Sequence, residues 1–350
     1  MSDQAFQPVY LLSRGGHAES LHFGALAIVA ASGELFAAHG DAQISTFLRS
    51  TAKPFQVLPL VLAGGVEHYG FTLRELALIC GSHSGTDEHV EVAQAIQKKA
   101  GIREDQLLCG VHPPLHKETA ERLKQSGIGL IPNRHNCSGK HSGMLAYAKI
   151  RGWDLENYID PQHPMQQEIF ALFAEMAGLP VEKLSIGIDG CSAPNWAAPL
   201  YNTALAYARL MDPSGLPKTQ QTACDQVSAA MIANPDMVGG PGRFDTVLMQ
   251  TADGNILSKG GAEGYQGVGL RAGAMGLGSP AIGIALKISD GDARDWVSHA
   301  VSMEILRLLG VLSEAQFEKL AELGPGRKIT NWRGLEVGRG EPIFNLEIQS

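Results

Sequence analysis

Charge is scarce in this chain: Asp, Glu, Lys and Arg make up 18% of its 350 residues, below the usual share of about a quarter. The basic sign is the scarcer one, with 28 Lys and Arg against 36 Asp and Glu, and the net charge of −8 leaves no surplus for neutralising phosphates. No nucleic-acid partner and no membrane partner is therefore expected. Long apolar runs are absent as well, each being cut by Gly, Pro or a polar residue well short of the roughly 20 residues that span a bilayer. The first thirty residues begin with Asp3, Gln4 and Gln7 and lack a basic start followed by an apolar stretch and a small-residue cleavage site, so a soluble, cytoplasmic protein is expected. Cysteine is sparse and odd in number: the five, Cys80, Cys109, Cys137, Cys191 and Cys224, are widely spaced. That suits free thiols in a reducing compartment better than a disulfide framework, and any special cysteine should be a ligand or a nucleophile.

What is present is a normal apolar share, 44%, and 41 glycines. A chain of this length buries a core without disulfide or metal staples, and the glycines imply many tight turns. Ala25 to Ala30 and Leu35 to His39 are short apolar runs around Ala31-Ser32-Gly33-Glu34, which predicts a hairpin. From Thr51 to about Ile232 the blocks become helix-length, among them Pro54 to Ala63, Glu88 to Lys99, Ser142 to Ile150, Met165 to Ala177 and Asn195 to Arg209. Strand patterns return with Thr246 to Thr251 and Ile256 to Ser258 around Ala252-Asp253-Gly254-Asn255, then Gly264 to Leu270 and Gly283 to Ser289, before a closing helix from Asp292 to Leu309. No linker or repeat divides the chain. The expectation is one α+β domain over residues 1–350, with a sheet lobe at about 1–50 and 245–350 built by both chain ends and a helical lobe at about 51–244 inserted between them.

Gly267-Val268-Gly269-Leu270-Arg271-Ala272 formally matches the dinucleotide fingerprint. Its mechanism needs a helix N-terminus on the pyrophosphate, and Gly273, Gly276, Gly278 and Pro280 would break that helix, so the match is rejected. Ser50-Thr51-Ala52-Lys53 is an S-x-x-K element in which residues three apart share a helix face, so that a lysine amine can serve as the base for a serine hydroxyl. Alone it reads more readily as a capping serine and a solvated lysine, although Pro54 pins the pair near a helix start. Cys80-Gly81-Ser82-His83-Ser84-Gly85-Thr86-Asp87 supplies further hydroxyls and backbone N–H groups. It is no nucleophile elbow, because His83 stands where the serine would be. The patches Asn133 to Gly143 and Gly187 to Asn195 carry Cys137 and Cys191, which could share a soft metal such as zinc with His135, His141 or Asp189, or could be two buried free thiols. Ser258-Lys259-Gly260-Gly261 lies on a late strand, where a lysine can face an S-x-x-K helix across a cleft, although Gly260 departs from the K-T-G pattern.

Together, Leu12-Ser13-Arg14-Gly15, Arg49 to Pro54, Cys80 to Gly85, Asn136 to His141 and Gly187 to Cys191 resemble the asparaginase II family, the class 3 L-asparaginases of Rhizobium etli type. The resemblance runs from about Arg14 to the closing helix. It implies a serine β-lactamase and glutaminase-like fold, hydrolysis of L-asparagine to L-aspartate and ammonia, and a homodimer. It also implies that Ser50 is the nucleophile with Lys53, that Ser82 pairs with Lys259, and that Cys137, Lys140 and Cys191 hold zinc near Asp189. Arg49, His83, Asn136 and Asp189 are the residues expected to read the substrate. Glutaminase or β-lactam hydrolysis on the same fold, or a silent zinc-binding regulator, are the alternatives.

Overall fold

The computed structural model describes residues 5–294 and 296–346. Asp3 and Gln4 of the N-terminus, residue 295 within the expected closing helix, and residues 1, 2 and 347–350 of the expected domain lie outside the described residues. Strands are β1 (Gln7–Arg14), β2 (His17–Ala30), β3 (Leu35–His39), β4 (Ser45–Phe47), β5 (Ser185–Ile188), β6 (Pro194–Pro199), β7 (Ile256–Gly261), β8 (Tyr265–Leu270), β9 (Ile282–Ile288), β10 (Arg327–Thr330) and β11 (Glu336–Pro342). The chain forms two compact units, divided after Thr51, Ala197, Asp212 and Gln250.

The first unit is built on an antiparallel sheet in the order β10-β11-β1-β2-β9-β8-β7, with β3 also on β2. Strands from both chain ends thus share one sheet, as expected. The β2–β3 hairpin turns where the spacing predicts it, with Gly33 at a φ of 94°. Helix Leu200–Met211 lies on one face of this sheet, and the glycine-rich stretch explains how closely. A Cβ on Gly267 would come within 2.4 Å of Tyr207, one on Gly269 within 2.5 Å of Met211, and one on Gly283 within 1.8 Å of the Ala204 carbonyl oxygen. These glycines therefore serve helix–sheet approach on the strands β8 and β9, and no helix follows β8 to receive a pyrophosphate. On the opposite face Ile28, Val268, Ile282 and Ile284 are buried. Helix Val297–Leu308 packs against β1, β8 and β9, and the Asp292 carboxylate accepts its Val297 and Ser298 N–H groups at 3.1 and 2.8 Å.

Two local expectations are corrected. Thr246 to Thr251 is not a strand but belongs to helix Phe244–Thr251, which buries Phe244, Leu248 and Met249 at helical spacing despite the β-branched residues between them. Asn195 to Arg209 is not one helix: β6 occupies its start, and Pro199 ends that strand where helix Leu200–Met211 begins.

The second unit is mainly helical, with Leu73–Ile79, Asp87–Ala100, Ser138–Ile150, Pro164–Ala177 and Lys218–Ala233 as its longer helices. Pro54 to Ala63 is split into Lys53–Gln56 and Leu58–Leu62, Pro59 having no N–H to continue the ladder. Thr72 and Thr86 cap the helices that follow them through reciprocal bonds with Glu75 and His89. Helix Ser138–Ile150 lies so close to Leu73–Ile79 that a Cβ on Gly139 would be 2.3 Å from the Leu78 carbonyl oxygen. Strands β5 and β6 form an antiparallel hairpin in which Ile188 faces Pro194. Among the described residues no helix is long and apolar enough to cross a membrane.

Candidate active site

Lys53 opens the short helix Lys53–Gln56 directly after the 3-10 turn Arg49–Ala52, with Pro54 beside it. The side chain is 1% exposed, and its amine has three oxygen neighbours: the Gly81 carbonyl at 2.7 Å, Ser82 Oγ at 2.8 Å and the Asn136 carbonyl at 3.3 Å. Three acceptors match the three hydrogens of an ammonium. They also match a neutral amine, whose two hydrogens would go to the two carbonyls while its lone pair accepts the Ser82 proton, since a carbonyl only accepts and a hydroxyl can do either. Ser82 is held by its own N–H, which donates to the Val238 carbonyl at 2.8 Å. Lys53 is thus a lysine on Ser82, a pairing that the resemblance does not imply.

Beside this pair lies a sulfur cluster. The Lys140 amine, in the first turn of helix Ser138–Ile150, donates to Cys191 Sγ at 2.8 Å, and the Cys191 thiol lies 3.6 Å from Asp189 Oδ2. Asp189 and Cys191 occupy the turn between β5 and β6, which closes through Asp189 N–H to the Ala193 carbonyl at 2.9 Å and sets Ser192 at a φ of 68°. Cys137 is held well below the ordinary thiol range by a hydrogen bond from Cys191 and, after the opposing cost of burial, by the nearby Lys53 and Lys140 side chains. Cys191, the donor of that bond, is pushed up. Burial alone would lower Lys140, but Cys191, Cys137 and Asp189 outweigh it and push the amine up. Among the described residues no three or more His, Cys, Asp or Glu side chains cluster to hold a metal ion; the donor set here is two sulfurs and one amine.

His83 lies inside the helical unit. It is fully buried, its Nδ1 accepts the Gly85 N–H at 3.2 Å, and its Nε2 lies 2.9 Å from Ser138 Oγ, which itself donates to the Asn133 carbonyl. Burial, with His89 and Lys53 nearby, keeps the ring neutral, and His83 ties the Ser82 loop to helix Ser138–Ile150. Asn136 has a dual position, its carbonyl on Lys53 and its side-chain oxygen 3.3 Å from Cys137 Sγ. Lys53, Ser82, His83, Asn136, Cys137, Lys140, Asp189 and Cys191 all belong to the helical unit.

Arg49, Ser50 and Lys259 belong to the sheet unit. Arg49 adopts a φ of 52°, a left-handed conformation uncommon outside glycine, immediately before the half-buried Ser50. Its guanidinium lies 3.7 Å from Glu263, a neighbour that sequence reasoning missed because Glu263 lies in no motif. Lys259 is fully buried on β7 opposite Gly267, and its amine donates to the Gly260 carbonyl at 2.6 Å. His112 was missed as well. It accepts the Asn136 N–H at 3.1 Å from a loop with no recognisable pattern.

Two histidines make the site region sensitive to acid. Burial pushes His135 and His141 from the usual 6.5 down to about 4, aided at His135 by His112 and opposed at His141 by its hydrogen bond with Cys191. An unfolded chain therefore binds protons at both positions that the folded chain refuses. The stabilisation is fully present above about pH 6.5 and is lost as pH falls toward about 4, at roughly 3 kcal/mol for each group. Urea unfolding should show the midpoint declining from about pH 6.5 downward. A midpoint unchanged between about pH 7 and about pH 5 would contradict this.

No curated protein is significantly similar to the chain in sequence. Among solved structures it is similar to a probable glutaminase from Bacillus subtilis complexed with 6-diazo-5-oxo-L-norleucine, at 11% identity and a TM-score of 0.41, over 83% of this chain and 84% of that one. A Bacillus glutaminase in 4.3 M NaCl is similar at 10% identity and a TM-score of 0.40, over 82% and 91% of the two chains. The sequence profile of L-asparaginase II matches residues 11–342, nearly the whole chain. The chain therefore belongs to the L-asparaginase II family, amide hydrolases that act on small molecules.

Proposed function

We propose that the protein is an L-asparaginase that hydrolyses the side-chain amide of L-asparagine to L-aspartate and ammonia through a serine ester. The observation that carries this reading is the Lys53 amine on Ser82 Oγ, with two backbone carbonyls to take its hydrogens. In its neutral form that amine has one lone pair, and a serine proton is what it can accept. Ser50, three residues before Lys53 in the S-x-x-K element, is the nucleophile: its oxygen bonds to the amide carbon as its proton passes by way of Ser82 to the lysine. Ser82 relays that proton to the departing nitrogen, which leaves as ammonia. Water then attacks the ester, and one of its protons passes to Ser50 as L-aspartate leaves. Lys259 assists Ser82 in this scheme, while Arg49, Asn136 and Asp189 read the charged ends of the substrate.

Cys137, Lys140 and Cys191 would hold a zinc ion. Two buried sulfurs and a nitrogen are donors that zinc accepts, and the metal would take the place of the proton now held by Lys140. When bound, zinc supplies a fixed positive charge that orders Asp189 and the substrate, since a serine already provides the nucleophile.

Ammonia release measured with asparagine, glutamine and nitrocefin hydrolysis in parallel tests the reading. The expected result is a kcat/KM for asparagine about 10- to 200-fold above that for glutamine, the discrimination one methylene allows. A preference for glutamine would make the protein a glutaminase. No turnover of any of the three would favour a zinc-binding regulator.

A further inference from the structure

Two imidazoles hold the peptide planes on either side of the Asn136 Cα. His112 Nδ1 lies 2.6 Å from the Pro113 carbonyl oxygen, which can only accept, so Nδ1 carries the proton and Nε2 is free to accept the Asn136 N–H at 3.1 Å. His135 Nδ1 accepts the next N–H, that of Cys137, at 3.0 Å. The two rings lie against each other with centroids 4.2 Å apart. The Cys137 N–H and the Asn136 carbonyl belong to one rigid peptide plane and point in opposite directions. With both planes anchored, the Asn136 carbonyl is aimed at the Lys53 amine.

That aim has a chemical consequence. A neutral lysine amine has two hydrogens and one lone pair, and it rotates freely unless the hydrogens have fixed acceptors. The Gly81 and Asn136 carbonyls are those acceptors, and with both engaged the lone pair faces Ser82. Were the Asn136 carbonyl to turn away, the amine could present a hydrogen to Ser82 and lose its use as a base. We propose that His112 is a positioning residue of the reaction: by holding the Asn136 N–H while His135 holds the plane of the Asn136 carbonyl, it keeps that carbonyl on the Lys53 amine and the lone pair toward Ser82. This inference rests on the amide-hydrolysis reading, although its geometry does not. Neither His112 nor its loop belongs to any of the five motifs that mark the family resemblance.

Two variants test it. H112F keeps a ring against His135 and removes the acceptor, while H112Q places an amide oxygen near the position of Nε2. For H112F, kcat should fall about 30- to 100-fold with KM changed less than about threefold, the loss expected from a misaimed catalytic group. H112Q should recover to within about fivefold of the parent. Hydrogen exchange at the Asn136 amide, followed by NMR, should accelerate at least about tenfold in H112F and stay slow in H112Q. Unchanged kcat in H112F, a loss confined to KM, or equal losses in both variants would overturn the proposal. If the parent protein hydrolyses no amide, the functional reading fails by itself, and unaltered Asn136 exchange in H112F would separately refute the anchoring.

Discussion

Replacing Lys53 by methionine lowers turnover by at least about a thousandfold and leaves the fold in place, and Ser50→Ala does the same. The methionine has nearly the length and volume of the lysine, so the 1% exposed site stays filled while the amine disappears. Its loss removes from Ser82 the one group that, among the described residues, bonds its Oγ and can take a proton: His83, next in sequence, has both ring nitrogens engaged by Gly85 and Ser138. When members of one nucleophile unit are removed singly, each costs nearly as much as removing all, so the Lys53→Met and Ser50→Ala losses should not add in the double variant. Steady-state ammonia release with far-UV circular dichroism on the three proteins decides the point. Activity within tenfold of the parent in either single variant would remove that residue from the mechanism. A diazo ketone analogue of asparagine should alkylate Ser50, and peptide mapping that finds Ser82 labelled instead would exchange the roles of the two serines.

The second large effect concerns the sulfur cluster. Cys137→Ala should abolish stoichiometric zinc, because Lys140 and Cys191 are then the only proposed donors left and cannot fill a tetrahedral site without added water. Metal analysis of the purified variant reads this directly, and zinc retained at one per chain would refute the site. Its effect on catalysis should fall on KM, by about tenfold or more, through the misplacement of Asp189, which Cys191 approaches at 3.6 Å. A collapse of kcat with unchanged KM would mean that the metal takes part in bond making.

Much of this site was legible in the sequence because its chemistry is carried by short motifs. Ser50 and Lys53 stand out by their spacing together with Pro54, Cys137 and Cys191 by a sparse and reactive residue type, and Lys140 only through the family resemblance. Local pattern also located the β2–β3 hairpin and ruled out the dinucleotide reading, since the breakers after Leu270 act within a few residues. Where β-branched residues and helical spacing competed, as at Thr246 to Thr251, burial of Phe244 and Leu248 against the surrounding unit settled the outcome.

Other features had no local signal. His83 has the residue type of a catalytic group and a place beside Ser82, yet packing turned it into an internal tie. His112 has no motif at all, and it meets Asn136 across 24 positions of chain. By itself the sequence determined which reactive groups the protein carries, its family, and the α+β succession of elements, because these depend on residue type and short-range periodicity. The tertiary structure alone decided that Lys53 rests on a serine 29 positions away and Lys140 on a cysteine 51 positions away. Such contacts form only when several helices have packed, at an entropic cost of loop closure that no local pattern records.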